Sequence, residues 1–196
     1  MVLAYHAIFT AYGFWLPNDP RGSWSKFVAS WELLLAGGKA TKTNERQSLA
    51  HVEHDRENRL RAKAALKHPP VEFSGQQAYS VAMGFSQAIV DGGYATCACS
   101  ILPEHVHMVI KRHDRDIERI VGHLKSAATR RLDADGLHPF SGTLKADGTR
   151  QSPWADRCWK VFLNSEEDIA RATEYVVQNP IKEGKRRQGW SFVKPF

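Results

Sequence analysis

The sequence has few cysteines and no long apolar run, and each absence excludes a class of protein. Its 196 residues include three cysteines, an odd number that argues against a disulfide scaffold and favours a reducing compartment. No segment approaches the roughly 20 uninterrupted apolar residues of a membrane helix. The beginning of the chain does not combine a basic flank with an apolar run and a small-residue cleavage site. We therefore expect neither a membrane span nor a signal peptide, and we predict a cytoplasmic protein.

Acidic residues are in the minority, since 27 Lys and Arg stand against 21 Asp and Glu for a net charge of +6. A basic balance is informative about partners, and nucleic acid is the commonest polyanion. Many basic proteins bind no DNA, so charge alone does not decide between a nucleic-acid-binding protein and a generic soluble surface. The candidate DNA contacts are clustered basic residues on a predicted helix and after the last helix: Lys125, Arg130, Arg131, Lys182, Lys185, Arg186 and Arg187.

Hydrophobic periodicity and turn residues predict the order of the elements. Strands are predicted at 3–12, 94–102, 105–111 and 158–163. Helices are predicted at 76–90, at 117–132, and from a Ser165 capping box to Asn179, where Pro180 follows. Between the first strand and the first core helix, residues 13–75 form a large insertion with a helical turn at 31–35 and helix-forming composition over 41–67.

The predicted core order is β-α-β-β-α-β plus a C-terminal helix. Its first six elements are the ferredoxin-like pattern of the α+β class, an antiparallel sheet with helices packed on one face. We predict a single domain over 1–196, with 13–75 as an insertion after the first strand and 185–196 as a C-terminal tail. This fold supports many functions, so the function must be inferred from the residues of a specific site.

Two histidines in the predicted strand at 105–111 share one face. Side chains repeat every two residues along a strand, so the Cα atoms of His105 and His107 lie about 6.6 Å apart with both rings on the same side. Val106 and Met108 then point to the opposite side, toward a core. The pair is half of a metal site, although a solvated strand face would show the same spacing.

The last helix offers the groups that such a pair lacks. Tyr175 and Asn179 are four residues apart, about 6 Å along the axis, and share one helical face. The Asn179 amide oxygen would complete an N,N,O ligand set that suits Mg²⁺ or Mn²⁺ better than structural zinc. Val176 and Val177 are expected to anchor the helix to the sheet. Alternatively, Tyr175 is a core residue with its hydroxyl at the rim, and Asn179 is a helix stop before Pro180.

Together these motifs resemble the single-tyrosine HUH transposases, and most closely the REP-associated tyrosine transposases. The resemblance rests on Leu102–Ile110 (LPEHVHMVI), His123–Ser126 (HLKS) and Glu174–Gly184 (EYVVQNPIKEG). It implies a ferredoxin-like domain that cuts and joins single-stranded or hairpin DNA. By position it implies His105, His107 and Asn179 as metal ligands and Tyr175 as the nucleophile. The long insertion and the Trp-containing tail depart from a compact member of the family.

The resemblance implies strand transfer by a nucleoid-associated cytoplasmic enzyme, through a 5′-phosphotyrosine intermediate and a divalent metal. It leaves open whether the protein is a monomer or a homodimer that supplies Tyr175 in trans. Two other hypotheses compete with this one. The first is a DNA hairpin-binding protein of the same fold, adopted for a host role without transposition. The second is a small metallohydrolase that activates water at the histidine pair, which would leave Tyr175 unexplained.

Overall fold

A computed structural model describes residues 1–23, 25–43 and 52–194 of the chain. It divides into two compact units, one of Met1–Ala11 with Glu72–Phe196 and one of Tyr12–Val71. The second unit has nearly the boundaries of the predicted insertion. It is therefore a compact body with its own core, whereas the first unit carries the predicted core elements.

The first unit is built on a four-stranded antiparallel sheet. Its strands are β1 (Ala4–Thr10), β2 (Thr96–Ile101), β3 (His105–Lys111) and β4 (Trp159–Leu163), in the spatial order β2-β3-β1-β4. Helix α3 (Gly75–Gly92) precedes β2, α4 (Ile117–Ala134) joins β3 to β4, and α5 (Glu166–Lys182) follows β4. This order and pairing are ferredoxin-like, so the predicted fold class is confirmed.

The two faces of the sheet are covered by different helices. Phe9 of β1 contacts Phe85 of α3, with ring centroids 5.8 Å apart, and α4 packs against α3 on this side. On the other side, Ala4 and Val109 form one buried cluster with Val176 of α5, against which Val177 also packs. The predicted anchoring of α5 by these two valines is confirmed. The histidines of β3 alternate with Val106 and Met108, so they face α5.

Helix α5 begins as predicted but extends beyond its predicted end. The Ser165 side chain accepts a hydrogen bond from the backbone N–H of Asp168 at 3.1 Å, which caps the first turn. The predicted stop at Asn179-Pro180 is wrong, because Pro180 lies inside the helix, which continues to Lys182. Proline removes one N–H donor, but the turn that follows is held by the backbone N–H of Glu183, which donates to the Asn179 carbonyl oxygen at 3.2 Å.

The remaining differences from the predicted boundaries lie at element ends. Strand β1 is shorter than the predicted strand at 3–12, and beyond its end Ala11 makes only an isolated bridge, with Trp154. Residues 185–194 of the predicted tail run along the outer edge of β2. There the Gln188 side chain bonds both backbone groups of Ile101, and the Lys194 N–H donates to the Thr96 carbonyl at 2.9 Å. The tail therefore covers polar backbone groups that an edge strand would otherwise expose.

The second unit contains α1 (Trp31–Gly37) and α2 (Arg56–Ala64). Its small core consists of Leu16, Leu33 and Ala62. Buried Asn18 donates its side-chain amide to the Leu33 carbonyl oxygen at 2.8 Å, which ties the loop before α1 to that helix. Of the helix-forming stretch predicted at 41–67, residues 44–51 lie outside the described residues.

The three cysteines, Cys97, Cys99 and Cys158, are free thiols. None of the helices in the described part of the chain has both the length and the apolar content needed to cross a membrane.

Two helical glycines provide a test of how closely α3 and α4 pack. A Cβ atom added at Gly84 of α3 would lie 2.6 Å from the Ala128 Cα of α4, whereas one added at Gly122 of α4 would meet nothing within 4 Å. We expect Gly84→Ala to lower the free energy of unfolding by about 1–3 kcal/mol through overpacking. Gly122→Ala should raise it by about 0.5–1 kcal/mol, because alanine favours the helix. Urea unfolding of both variants measures these changes, and equal effects of the same sign would contradict this packing.

Candidate active site

The two histidines of β3 lie between the sheet and helix α5. Their ring centroids are 5.0 Å apart and nearly perpendicular, so the rings are adjacent on one face as the strand spacing predicts. His107 is buried, whereas 14% of the His105 side chain remains exposed. A strand at the centre of a sheet fixes both positions, and only His105 lies near the surface.

A third histidine, His6 of β1, adjoins the pair. Strand β1 pairs with β3 so that Ile8 faces His107 and His6 faces Val109. His6 is therefore diagonal to His107 on the same face, a spacing that ring side chains can bridge. The His6 Nε2 and His107 Nδ1 atoms are 2.9 Å apart and form a buried hydrogen bond.

Tyr175 of α5 lies against both of these histidines. Its ring centroid is 5.7 Å from that of His6 and 5.5 Å from that of His107. The residue is 41% exposed, so the phenol borders the buried histidines and also faces solvent. The structure thus brings together the predicted nucleophile and the histidine pair, although their segments are far apart in the sequence.

Asn179 lies one helical turn after Tyr175 and is 7% exposed. Its Nδ2 atom has no hydrogen-bond partner among the described residues. A buried amide without a partner is costly, and the oxygen and nitrogen of an Asn side chain can exchange places by a flip. The unpartnered position can therefore be occupied by the amide oxygen as well as by the nitrogen.

The continuation of α5 past Pro180 brings two further charged groups to the site. An Oε1 atom of Glu183 lies 3.6 Å from the His105 Nε2 atom. The Lys182 ammonium lies 5.2 Å from the centroid of the Tyr175 ring, within the range of a cation–π contact. Sequence reasoning missed Glu183, because it placed the end of the helix at Asn179.

Burial keeps the histidines neutral at physiological pH. It lowers the pKa of His6 to about 4, and burial together with the Lys185 charge lowers the pKa of His105 to about 4. The pKa of His107 is lowered well below its ordinary value, first by burial and then by His105 and His6. Neutral imidazoles are the form that binds metals. In contrast, burial and then the Glu183 charge raise the pKa of Tyr175, so its resting form is the phenol.

The donor set fits a divalent cation by its chemistry. Two neutral imidazoles and one amide oxygen form a mixed N,N,O set of the kind that Mn²⁺ or Mg²⁺ accepts. Within the described part of the chain, no three His, Cys, Asp or Glu side chains are grouped so as to hold a metal ion. A metal at this site would therefore depend on the Asn179 amide in addition to His105 and His107.

The structure separates the predicted DNA contacts into two groups. Lys182, Lys185, Arg186 and Arg187 end α5 or follow it, and all four are exposed. Of these, Lys182 and Lys185 lie beside the site. In contrast, Lys125, Arg130 and Arg131 belong to α4, on the opposite face of the sheet.

Two of the three α4 residues are also engaged within the domain. The Lys125 ammonium donates to the Ala155 carbonyl oxygen at 2.7 Å and to that of Arg157 at 2.5 Å, and Arg131 pairs with Asp135 at 2.9 Å. DNA binding by the α4 group remains a prediction that does not involve the site.

The buried histidines predict a loss of stability in acid. An unfolded histidine takes up a proton below about pH 6.5, whereas folded His6 does so only near pH 4. The contribution of neutral His6 to the free energy of unfolding is complete above about pH 6.5. Acidification toward pH 4 removes it, a loss on the order of 3 kcal/mol.

We expect His6→Phe to show a smaller decrease in Tm between pH 7 and pH 4.5 than the unsubstituted protein. His113→Gln, beyond the far end of β3, serves as the control and should keep the full decrease. The same pH dependence in His6→Phe and the unsubstituted protein would contradict the buried neutral state of His6.

Comparison with known proteins finds a curated relative and a solved structure that are similar to the chain. No family model matches the chain. The curated protein, "Putative REP-associated tyrosine transposase" of Haemophilus influenzae strain Rd, is 26% identical over 93 residues, 46% of this chain. The chain covers 52% of that protein, about half of its length.

The solved structure is of a REP-associated tyrosine transposase bound to a REP hairpin. It matches with a TM-score of 0.45 and 20% identity, over 61% of this chain and 64% of the other. At this level of similarity, the assignment of the fold rests on the strand order and pairing described above. The curated match supports the resemblance to the REP-associated tyrosine transposases that the sequence motifs predict.

Proposed function

We propose that this protein cleaves and rejoins single-stranded or hairpin DNA through a covalent link to Tyr175. The observation that carries the proposal is the contact of the Tyr175 ring with the His6 and His107 rings, 5.7 and 5.5 Å between centroids. A phenol at the border of a buried histidine cluster, with solvent access, is placed to meet a phosphodiester. The curated relative, a protein described as a tyrosine transposase, supports the same reaction class.

The proposed step exchanges one phosphodiester for another. The Tyr175 Oη atom attacks phosphorus, and the bond from phosphorus to the 3′-oxygen breaks. Tyr175 loses its phenolic proton, and the departing 3′-oxygen gains a proton to become a hydroxyl. A 5′-phosphotyrosine remains on the protein. Because no water is consumed, a second 3′-hydroxyl can reverse the step, which is strand transfer.

Tyr175 needs charge stabilisation from a bound cation for this step. A free phenol has a pKa of about 10 and is a weak nucleophile, and here burial and Glu183 raise the Tyr175 pKa further. The residues that would hold Mg²⁺ or Mn²⁺ are His105, His107 and Asn179. When bound there, the cation would supply charge stabilisation for the phosphate and its leaving oxygen.

The basic residues beside the site fit a DNA strand that approaches α5. Lys182 lies over the ring of Tyr175, and Lys185 is close enough to His105 to lower its pKa. Positive groups that surround a nucleophile attract the phosphate backbone and position it. We propose this group, rather than the α4 group, as the surface that holds the scissile strand.

Substitution of Tyr175 tests the nucleophile. Protein, Mn²⁺ and a hairpin oligonucleotide labelled at its 3′ end are incubated and separated on a denaturing gel. Because the 5′-phosphotyrosine retains the 3′ portion of the strand, the labelled DNA should migrate with the protein. We expect Tyr175→Phe to reduce this adduct below detection while DNA binding in a native gel stays within about twofold.

Tyr79→Phe provides the matched control, because Tyr79 is 61% exposed on α3 and should form adducts normally. Adducts that persist in Tyr175→Phe would contradict the assignment. Cleavage without any adduct would indicate a metallohydrolase, and binding without cleavage would indicate a hairpin-binding protein.

A further inference from the structure

Metal binding by His107 would require one particular direction of its hydrogen bond with His6. The two rings are buried at 8% and 5% exposure, and their Nε2 and Nδ1 atoms are 2.9 Å apart. Exactly one proton lies between two neutral imidazole nitrogens in such a bond, so one ring donates and the other accepts. The choice of donor decides which nitrogen of His107 keeps its lone pair.

We propose that His6 is a positioning residue that holds His107 in the tautomer and ring orientation required of a metal ligand. The inference rests on the proposed function, since it assigns His107 to the metal. His107 uses Nδ1 toward His6, so only its Nε2 remains to bind a cation. Nε2 binds through a lone pair, which requires the His107 proton to be on Nδ1. His6 must then accept with Nε2 and carry its own proton on Nδ1.

The opposite arrangement is incompatible with metal binding through His107. If the His6 Nε2 were the donor, the His107 Nδ1 would accept and the proton of His107 would lie on Nε2. Neither nitrogen of His107 would then have a free lone pair. Metal-ligating histidines generally donate their other N–H to an acceptor, which fixes the tautomer and increases the basicity of the ligand. His6 supplies such an acceptor.

The fold holds His6 in this position from three sides. Strand register places it diagonal to His107, on a strand paired on both edges. The ring of Tyr175 packs against it with centroids 5.7 Å apart. Because the His6, His107 and Tyr175 rings contact one another pairwise, reorientation of His6 would disturb both the proposed ligand and the proposed nucleophile.

Two substitutions separate the hydrogen bond from ring packing. His6→Gln keeps an acceptor oxygen at about the reach of Nε2 but loses the ring. His6→Phe keeps the ring but loses the acceptor. Free Mn²⁺ measured by electron paramagnetic resonance gives the affinity of each variant without any DNA or turnover. We expect His6→Phe to weaken Mn²⁺ binding by about 10–100-fold and His6→Gln to stay within about threefold.

The tautomers can be measured directly in the unsubstituted, metal-free protein. Long-range ¹H–¹⁵N correlation spectra distinguish a ring protonated at Nδ1 from one protonated at Nε2. The proposal predicts that both His6 and His107 carry their proton on Nδ1. A proton on Nε2 of His107 would overturn it, whether or not the substituted proteins fold.

The outcomes also separate this inference from the proposed function. If Mn²⁺ binding is equal in His6→Phe and the unsubstituted protein while Tyr175 adducts still form, the positioning role is wrong and the nuclease assignment stands. If His6 and His107 have the predicted tautomers and His6→Phe weakens Mn²⁺ binding but no adduct forms, the positioning role stands and the strand-transfer assignment is wrong.

Discussion

Strands β1 and β3 pair antiparallel at the centre of the sheet, and the contact between His6 and His107 follows from their register. Thr10 faces His105, Ile8 faces His107, and His6 therefore stands diagonal to His107. A shift of one residue would turn all side chains of one strand to the opposite face. The buried bond between His6 and His107 exists only in this register, and the same register presents both rings to α5.

The sheet separates structural packing from chemistry. One face is apolar and packs against α3 and α4, which approach each other closely at Gly84. The other face carries the histidines, and α5 covers it with Tyr175 and Asn179 in successive turns. Burial under α5 keeps the imidazoles neutral, while the exposed residues after Pro180 provide positive charge. A stable two-sided core can thus support a polar site on one side without losing its apolar packing.

The structural features that depend on local sequence periodicity could be predicted from the sequence. Period-two and helical spacing identified the strands and helices, the shared face of His105 and His107, and the anchoring valines of α5. The His6–His107 bond could not be predicted, because it depends on the pairing of two strands about 100 residues apart. Glu183 was missed because Pro180 usually ends a helix, whereas here a backbone bond beyond it sustains the last turn.

We propose that His105, His107 and Asn179 form one metal centre beside Tyr175. Crystals of the protein soaked in Mn²⁺, with diffraction data collected at the manganese absorption edge, test it most directly. The account predicts one anomalous peak bonded to Nε2 of His107, to a ring nitrogen of His105 and to the side-chain oxygen of Asn179. An anomalous map without a peak between these three side chains, with Mn²⁺ bound elsewhere or not at all, would contradict it.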